Sequence, residues 1–248
     1  MTQTTMKIIK VDNYEELSQI ALEIFIGKIK QKPDAVLGLA TGSTPLGLYK
    51  NLIEDHQKNG TSYQHIHTVN LDEYVGLSKD DPNSYHSYMM NNLFQYLDIP
   101  HNQIHLPHGD ASDLAEECER YEHIFDRLGT VDLQVLGIGG NGHIGFNEPG
   151  TPFSSKTHVI DLKESTRQAN ARFFNHIDEV PKQAITMGIS TIMRSREILL
   201  LASGEAKAEA TYKLIHGEMT EQLPASILQQ HPAVTIIVDK AAASMLDS

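Results

Sequence analysis

Short, uninterrupted runs of apolar residues recur along this chain, and segments with helical periodicity separate them. Four of these runs read VLGLA, VLGIG, ILLLA and VTIIV. Runs that are apolar at every position are typical of strands buried on both faces of a sheet. Helices between such strands predict a doubly wound α/β fold, in which a mostly parallel sheet carries helices on both faces. No linker, low-complexity tract or internal repeat divides the chain, so we expect a single domain over residues 1–248.

The residue pattern predicts the following strands and helices. Strands are predicted at residues 6–11, 35–40, 65–71, 132–138, 157–162, 184–189, 197–202 and 234–239. Helices are predicted from residue 13 or 14 to about residue 30, and at 46–55, 82–97, 112–128 and 206–216. This architecture is Rossmann-like, and ligands of such folds bind beyond the carboxyl ends of the strands. Three predicted loops that follow strands carry most of the polar chemistry, namely 41–44, 72–74 and 139–148.

Charge and cysteine content limit the classes of function. The chain has 32 acidic and 20 basic residues, a formal net charge of −12. Nucleic acids and anionic membranes bind basic surfaces, so we expect neither as a partner. The single cysteine, Cys118, excludes an intrachain disulfide, and its helical spacing from Leu114, Tyr121 and Phe125 predicts a core position. The sequence has neither a signal-like nor a membrane-spanning apolar stretch, so we expect a cytoplasmic protein.

Residues 137–142 read GIGGNG and match the G-x-G-x-x-G pattern of dinucleotide-binding proteins. That motif requires a helix that begins at its third glycine, because the helix N-terminus binds the pyrophosphate. The residues that follow, HIGFNEPGTPF, contain two prolines and cannot form a helix of useful length. We therefore predict no nucleotide cofactor.

Thr41, Gly42, Ser43 and Thr44 lie between a predicted strand and a predicted helix, with Pro45 at the start of that helix. Small residues allow a ligand to approach, hydroxyls donate hydrogen bonds, and a helix N-terminus presents free N–H groups. These features predict a phosphate-binding loop, although the G-K-[ST] ending of a Walker A loop is missing. A capped strand–helix turn without a ligand stays an open alternative.

Asp72 and Glu73 follow the third predicted strand. From residue types alone, the two adjacent carboxylates have three interpretations: a general base, a pair of metal ligands, or charged side chains of a solvent-exposed turn. These alternatives stay open. Their position favours a role toward a ligand, because the carboxyl end of a strand in this fold faces the crevice.

The densest polar cluster lies in residues 141–148 and includes Asn141, His143 and Glu148. A histidine near a carboxylate suits proton transfer, because the carboxylate orients the ring and stabilises the imidazolium. An ordinary loop histidine is the alternative. The sequence has no H-E-x-x-H or similar spacing, so we predict no metal site.

Two basic residues, Lys207 and Arg172, are candidates to bind an anion. Lys207 lies near the start of a predicted helix, where a cation opposes the helix dipole, and an anionic ligand would explain it. Arg172 lies in the segment RQANARFF, and a plain surface charge is its alternative.

Taken together, these segments resemble glucosamine-6-phosphate deaminases. The matching segments are LGLATGSTPLGLYK (37–50), VNLDEYVGL (69–77), DPNSYHSYM (81–89), LGIGGNGHIGFNEPG (136–150), TRQANARFF (166–174) and SGEAKAEA (203–210). They occur in one order over most of the chain, so the resemblance does not depend on a single motif. It implies a doubly wound α/β fold and an enzyme of amino-sugar catabolism that converts D-glucosamine 6-phosphate and water to D-fructose 6-phosphate and ammonia.

The resemblance also implies roles for individual residues. Asp72 would remove the proton at C2 and return it at C1. His143 would transfer protons during ring opening, with Glu148 holding its imidazole. Asn141 stands where some family members carry Asp. Its amide does not ionise at neutral pH, so it would orient His143 or a substrate hydroxyl.

By the same resemblance, the segment 41–44, Arg172 and Lys207 would hold the phosphate, and the reaction requires neither a metal nor a cofactor. Two alternatives stay open: a sugar-phosphate hydrolase similar to 6-phosphogluconolactonase, and a non-catalytic sugar-phosphate sensor domain. The DEY and FNEPG segments argue against the first, and the acidic composition argues against the second. The sequence does not determine the oligomeric state, and a homo-oligomer stays an open alternative. Allosterically regulated relatives have a longer C-terminal part, so we expect an unregulated enzyme.

Overall fold

A computed structural model of the chain describes residues 6–246, and its centre is a seven-stranded sheet. The strands lie in the order β1-β10-β9-β6-β2-β3-β5, and every adjacent pair is parallel. Their bounds are β1 (Lys7–Val11), β2 (Val36–Leu39), β3 (His67–Asn70), β5 (Ile104–His105), β6 (Leu133–Leu136), β9 (Glu197–Ala202) and β10 (Val234–Asp239). Both β2 and β6 are buried at every position, as their apolar runs predict. The predicted fold class is confirmed.

Helices cover this sheet and connect its strands. In the described part of the chain they are α1 (Tyr14–Gln31), α2 (Leu46–Asn59), α3 (Tyr85–Asn92), α4 (Leu114–Leu128), α5 (Glu164–Asn170), α6 (Ile189–Met193) and α7 (Ala208–His216). The side chains of Asn13, Ser84 and Asp113 cap α1, α3 and α4 by accepting an N–H of the first turn. Each such cap contributes about 1 kcal/mol. Among these residues no helix is both long enough and apolar enough to cross a bilayer.

The direction in which the chain adds strands to the sheet reverses at β2. β3 and β5 extend the sheet on one side of β2, whereas β6, β9 and β10 extend it on the other. Such a reversal opens a crevice beyond the carboxyl ends of the two central strands. The segment 41–44 follows β2 and the segment 139–148 follows β6. The topology therefore brings two of the three predicted segments to one crevice.

A second, three-stranded antiparallel sheet carries the third segment. It consists of β4 (Asp72–Tyr74), β8 (Gln183–Thr186) and β7 (His158–Asp161), in that order. The prediction of a loop at 72–74 is wrong, because Asp72 pairs with Thr186 and Tyr74 pairs with Ala184. A strand of three residues is too short to show a period, and its carboxylates have low strand propensity.

Several predicted boundaries also differ from the structure. The helix predicted at 82–97 ends at Asn92, because Leu93 leaves the helical conformation with a φ of −147°, and a 3₁₀ turn follows. The strand predicted at 184–189 ends at Thr186, and Ile189 already begins α6. The helix α5 was not predicted. Cys118 is buried, as predicted.

Candidate active site

A cavity of about 480 Å³ opens beyond the carboxyl ends of β2 and β6. Nine of the ten predicted site residues line it: Thr41, Gly42, Ser43, Thr44, Asp72, Asn141, His143, Arg172 and Lys207. The tenth, Glu148, is buried and hydrogen-bonded to Asn141. Side chains that are distant in the sequence therefore converge where ligands of this architecture bind.

The segment 41–44 has a defined conformation between β2 and α2. Gly42 has a φ of +92°, a left-handed conformation that glycine adopts without strain. The Tyr14 hydroxyl of α1 holds the other end of the segment, since it donates to the backbone oxygen of Thr44 at 2.7 Å. Within residues 6–246, the backbone N–H groups of Gly42, Ser43 and Thr44 have no hydrogen-bond acceptor. Unpaired N–H groups before a helix suit the binding of an anion.

Two cations in the cavity lack acidic partners. Lys207 immediately precedes α7, and Arg172 lies in the 3₁₀ turn that follows α5. Across the described residues, neither forms an ion pair with a carboxylate. The Arg172 guanidinium stacks on Phe173, 4.7 Å from the ring centre, and burial lowers the pKa of Lys207. In a chain with a net charge of −12, unpaired cations in a cavity indicate an anionic ligand.

The Asp72 carboxylate lies in the wall of the cavity and is only 7 % exposed. In the described part of the chain, no donor is hydrogen-bonded to this carboxylate. Burial and, to a lesser extent, the neighbouring Glu73 carboxylate raise the pKa of Asp72 to about 8. A buried, unpaired carboxylate that titrates near neutral pH is suited to take a proton from a bound ligand.

Glu73 follows Asp72 on β4 but does not line this cavity. Its carboxylate accepts hydrogen bonds from the backbone N–H groups of Tyr74 at 2.9 Å, Tyr85 at 2.9 Å and His86 at 3.0 Å. Burial raises the pKa of Glu73 to about 7, and these hydrogen bonds limit the rise. Because Tyr85 and His86 begin α3, Glu73 caps that helix. No local sequence pattern indicates this role, since two of the three donors belong to a separate element, α3.

The His143 ring packs directly on Gly139. A Cβ atom at residue 139 would lie 2.0 Å from ring atoms of His143, so glycine alone leaves room for the ring. Nδ1 of His143 is 2.7 Å from Oδ1 of Asn141, and Nδ2 of Asn141 donates to Oε2 of Glu148 at 2.9 Å. The same Glu148 oxygen is 3.9 Å from His143 Nδ1. Glu148 therefore reaches the ring through the amide of Asn141.

The hydrogen bonds that link Glu148, Asn141 and His143 run in one direction. The Glu148 carboxylate only accepts, so Asn141 presents its NH₂ group to Glu148 and its oxygen to His143. Nδ1 of His143 then carries the hydrogen, and Nε2 is left as an acceptor. Burial lowers the pKa of His143, Glu148 opposes this effect, and Lys207 adds to it. The ring is therefore neutral at pH 7 and able to accept a proton at Nε2.

The helix α5 forms a wall of the cavity that the sequence analysis missed. The cavity-lining residues of this helix are Ser165, Thr166, Ala169 and Asn170. Thr166 Oγ1 donates to Oε1 of Glu148 at 3.1 Å, and Asn170 Nδ2 donates to the Tyr74 hydroxyl at 3.0 Å. A helix of seven residues is too short to show a clear period. The segment TRQANARFF overlaps this helix, but the sequence predicts a role for Arg172 alone.

No helix follows GIGGNG, since the next element after β6 is the strand β7, and this confirms the prediction that the residues after the motif form no helix. Over residues 6–246, no group of three or more His, Cys, Asp or Glu side chains is arranged to hold a metal ion. The cavity therefore combines groups suited to bind a small anion with groups suited to transfer protons.

Comparison with known sequences identifies the family of this chain. A family model described as glucosamine-6-phosphate isomerases/6-phosphogluconolactonase matches residues 12–237, and the chain belongs to this family. It is 60 % identical to a glucosamine-6-phosphate deaminase of Geobacillus sp. (strain WCH70), over 97 % of this chain and 96 % of the relative. It is 58 % identical to glucosamine-6-phosphate deaminase 1 of Bacillus subtilis (strain 168), over 97 % and 99 %.

Solved structures agree with this membership. A structure described as a monomeric glucosamine-6-phosphate deaminase superposes with a TM-score of 0.95 at 58 % identity, over 97 % of this chain and 100 % of that one. A 6-phosphogluconolactonase from Trypanosoma cruzi superposes with a TM-score of 0.80 at 22 % identity, over 100 % and 99 %. The second likeness shows the shared fold alone.

Proposed function

We propose that this chain catalyses the conversion of D-glucosamine 6-phosphate and water to D-fructose 6-phosphate and ammonia. The observation that carries the proposal is the Asp72 carboxylate, which is buried, lacks a hydrogen-bond partner among the described residues and faces the cavity. Relatives about 60 % identical over nearly full length are named for this activity.

The phosphate group is bound at the start of α2. The unpaired backbone N–H groups of residues 42–44 and the hydroxyls of Thr41, Ser43 and Thr44 supply donors. The cations Arg172 and Lys207 balance the phosphate charge. Hydrogen bonds between charged partners are the stronger class of such contacts, so this end of the cavity anchors the substrate.

Ring opening is assigned to His143. Its Nε2 accepts the proton of the C1 hydroxyl and delivers a proton to the ring oxygen, which yields the open aldehyde. Asn141 holds the ring through Nδ1, and Glu148 stabilises the positive charge that His143 carries during the transfer. A positioned acid–base group contributes about 10²–10⁴-fold to a rate.

Asp72 then acts on the open chain. Its carboxylate takes the proton from C2 and returns it to C1, while a proton passes from the C2 amino group to the C1 oxygen. The C1 aldehyde thereby becomes a hydroxymethyl group, and C2 becomes an imine. Water adds to C2, and the nitrogen leaves as ammonia while C2 becomes the ketone of fructose 6-phosphate. The raised pKa of Asp72 makes the carboxylate a stronger base than an exposed aspartate.

The test is release of ammonia from glucosamine 6-phosphate by the purified protein, with 6-phosphogluconolactone as the comparison substrate. We expect ammonia release and slow or no lactone hydrolysis. Lactone turnover without ammonia release would assign the chain to the other activity of the family. Binding of glucosamine 6-phosphate without turnover would make it a sensor.

The proposal includes a cytoplasmic, monomeric enzyme. The single, buried cysteine supports a reducing compartment, and the 58 % identical structure is described as monomeric. Light scattering at assay concentration measures the mass, and we expect the mass of one chain, 27.6 kDa.

A further inference from the structure

We propose that Thr166 is a positioning residue of this reaction: its hydroxyl holds the Glu148 carboxylate in the orientation that fixes Asn141 and, through Asn141, the His143 ring. This inference rests on the proposed function, because it assigns a role within the same site. Thr166 is on α5, and Glu148 is in the segment that follows β6.

The surroundings of Glu148 make this contact decisive. The residue is 4 % exposed, and its two carboxylate oxygens have different partners. Oε2 accepts from Nδ2 of Asn141 at 2.9 Å, and Oε1 accepts from Oγ1 of Thr166 at 3.1 Å. Among residues 6–246, no Lys or Arg pairs with this carboxylate. Its orientation therefore depends on two neutral donors.

Loss of the Thr166 hydroxyl would leave Oε1 without a donor. A buried carboxylate oxygen without a partner is unfavourable, so the group would rotate toward other donors or water. The amide of Asn141 takes its direction from Glu148, and Nδ1 of His143 takes its partner from Asn141. A hydroxyl on α5 would thus control the orientation of the ring that transfers the proton.

The position of Thr166 offers a second, purely structural role. The helix α5 is followed directly by the 3₁₀ turn that contains Arg172, so the same hydrogen bond tethers the element that carries a phosphate-binding cation. Loss of a tether would weaken substrate binding and raise KM. Loss of the positioning role would lower kcat and leave KM nearly unchanged.

The kinetic test compares Thr166→Val, Thr166→Ser and Thr151→Val. Thr151 is the matched control, because its hydroxyl donates to the backbone oxygen of Glu148 at 2.7 Å and not to the carboxylate. We expect T166V to lower kcat about tenfold, equal to about 1.4 kcal/mol, with KM within about twofold. T166S restores kcat, and T151V keeps it. An unchanged kcat in T166V, or an equally slow T166S, overturns the inference.

A double-mutant cycle identifies the route of the effect. In a Glu148→Ala background no side-chain oxygen is left to accept from Thr166, so the further change Thr166→Val is expected to leave kcat unchanged. A second tenfold loss in that background would show that Thr166 acts by another path and would overturn the inference.

A measurement without turnover separates this inference from the proposed function. The His143 ring is followed by NMR titration, with its signal identified by its loss in His143→Gln. Glu148 opposes the lowering of the His143 pKa, so the midpoint is expected to fall in T166V and to stay unchanged in T151V. A wild-type protein that releases no ammonia would refute the proposed function alone. A T166V midpoint equal to wild type would refute the role of Thr166.

Discussion

Asp72 and Glu73 are neighbours on one short strand and are both buried, yet their surroundings differ completely. Glu73 accepts three backbone N–H groups, whereas Asp72 has no donor in the described part of the chain. Successive side chains of a strand point to opposite faces, so one carboxylate meets the start of α3 and the other meets the cavity. Whether the protein supplies donors therefore separates a structural carboxylate from a reactive one.

The basic residues show the same contrast. Lys32 donates to both oxygens of the buried Asp132 at 3.0 Å and 3.1 Å, so the protein itself satisfies this charge. Lys207 has no such partner within residues 6–246 and lines the cavity. An unpaired charge again marks the place where a ligand completes the arrangement.

The largest expected effect is on turnover. Asp72→Asn removes the base, so we expect the kcat for ammonia release to fall by about 10³-fold or more. Glu73→Gln leaves the base in place and is expected to keep kcat within about tenfold. Steady-state kinetics measure both. Equal losses in the two variants would remove the distinction between the two carboxylates.

A smaller effect is expected on binding. Lys207→Met removes a cation that has no protein partner, so we expect KM to rise about 10–100-fold while kcat changes little. Lys32→Met is the control, because Lys32 is paired with Asp132, and its KM is expected to equal that of wild type. An unchanged KM in K207M would exclude Lys207 from phosphate binding.

The substitutions Asp72→Asn and Glu73→Gln are expected to change the free energy of unfolding in opposite directions. Folded Asp72 holds its proton up to a pH of about 8, whereas the unfolded chain releases it near 3.8. The unfolded state thus binds fewer protons between these values, and stability falls as the pH rises. At pH 8, Asp72→Asn is therefore expected to gain several kcal/mol, because it removes the cost of ionising this buried carboxylate.

Glu73→Gln is expected to lose about 1–3 kcal/mol at pH 8, since one amide oxygen replaces an acceptor of three N–H groups. This loss outweighs the relief from no longer burying the charge of Glu73. Urea denaturation of both variants at pH 8 measures the two changes. A gain of stability in E73Q would contradict the capping role.

The pH dependence supplies the finest distinction. Asp72 must be ionised to act as a base, so kcat/KM is expected to rise with pH up to about 8. The Glu73 charge contributes to the raised pKa of Asp72. We therefore expect the acidic limb of the profile to move to lower pH in E73Q. An acidic limb at the same pH in wild type and E73Q would show that burial alone raises the pKa of Asp72.

Much of the fold could be predicted from local patterns, because continuous apolar runs identify buried parallel strands. The second sheet could not be, since β4 is three residues long and pairs with the distant β8. The segments 41–44 and 139–148 could be predicted from the strand-end rule, and the structure brings them to one cavity.

The internal arrangement of the site could not be predicted from the sequence. The difference between Asp72 and Glu73 depends on N–H groups of α3 that donate to Glu73. No local sequence pattern predicts these hydrogen bonds. The placement of Asn141 between His143 and Glu148 depends on side-chain directions in one loop. The roles assigned to these residues stay predictions.

Proton exchange at C2 tests the central claim most directly. Glucosamine 6-phosphate is incubated in D₂O with wild type, D72N and E73Q, and loss of the C2 proton signal is followed by NMR, with phosphate binding measured in parallel. We predict that D72N binds phosphate but shows no enzymatic exchange, while E73Q exchanges at a rate close to that of wild type. Exchange in D72N at the wild-type rate would contradict the assignment of Asp72 as the base.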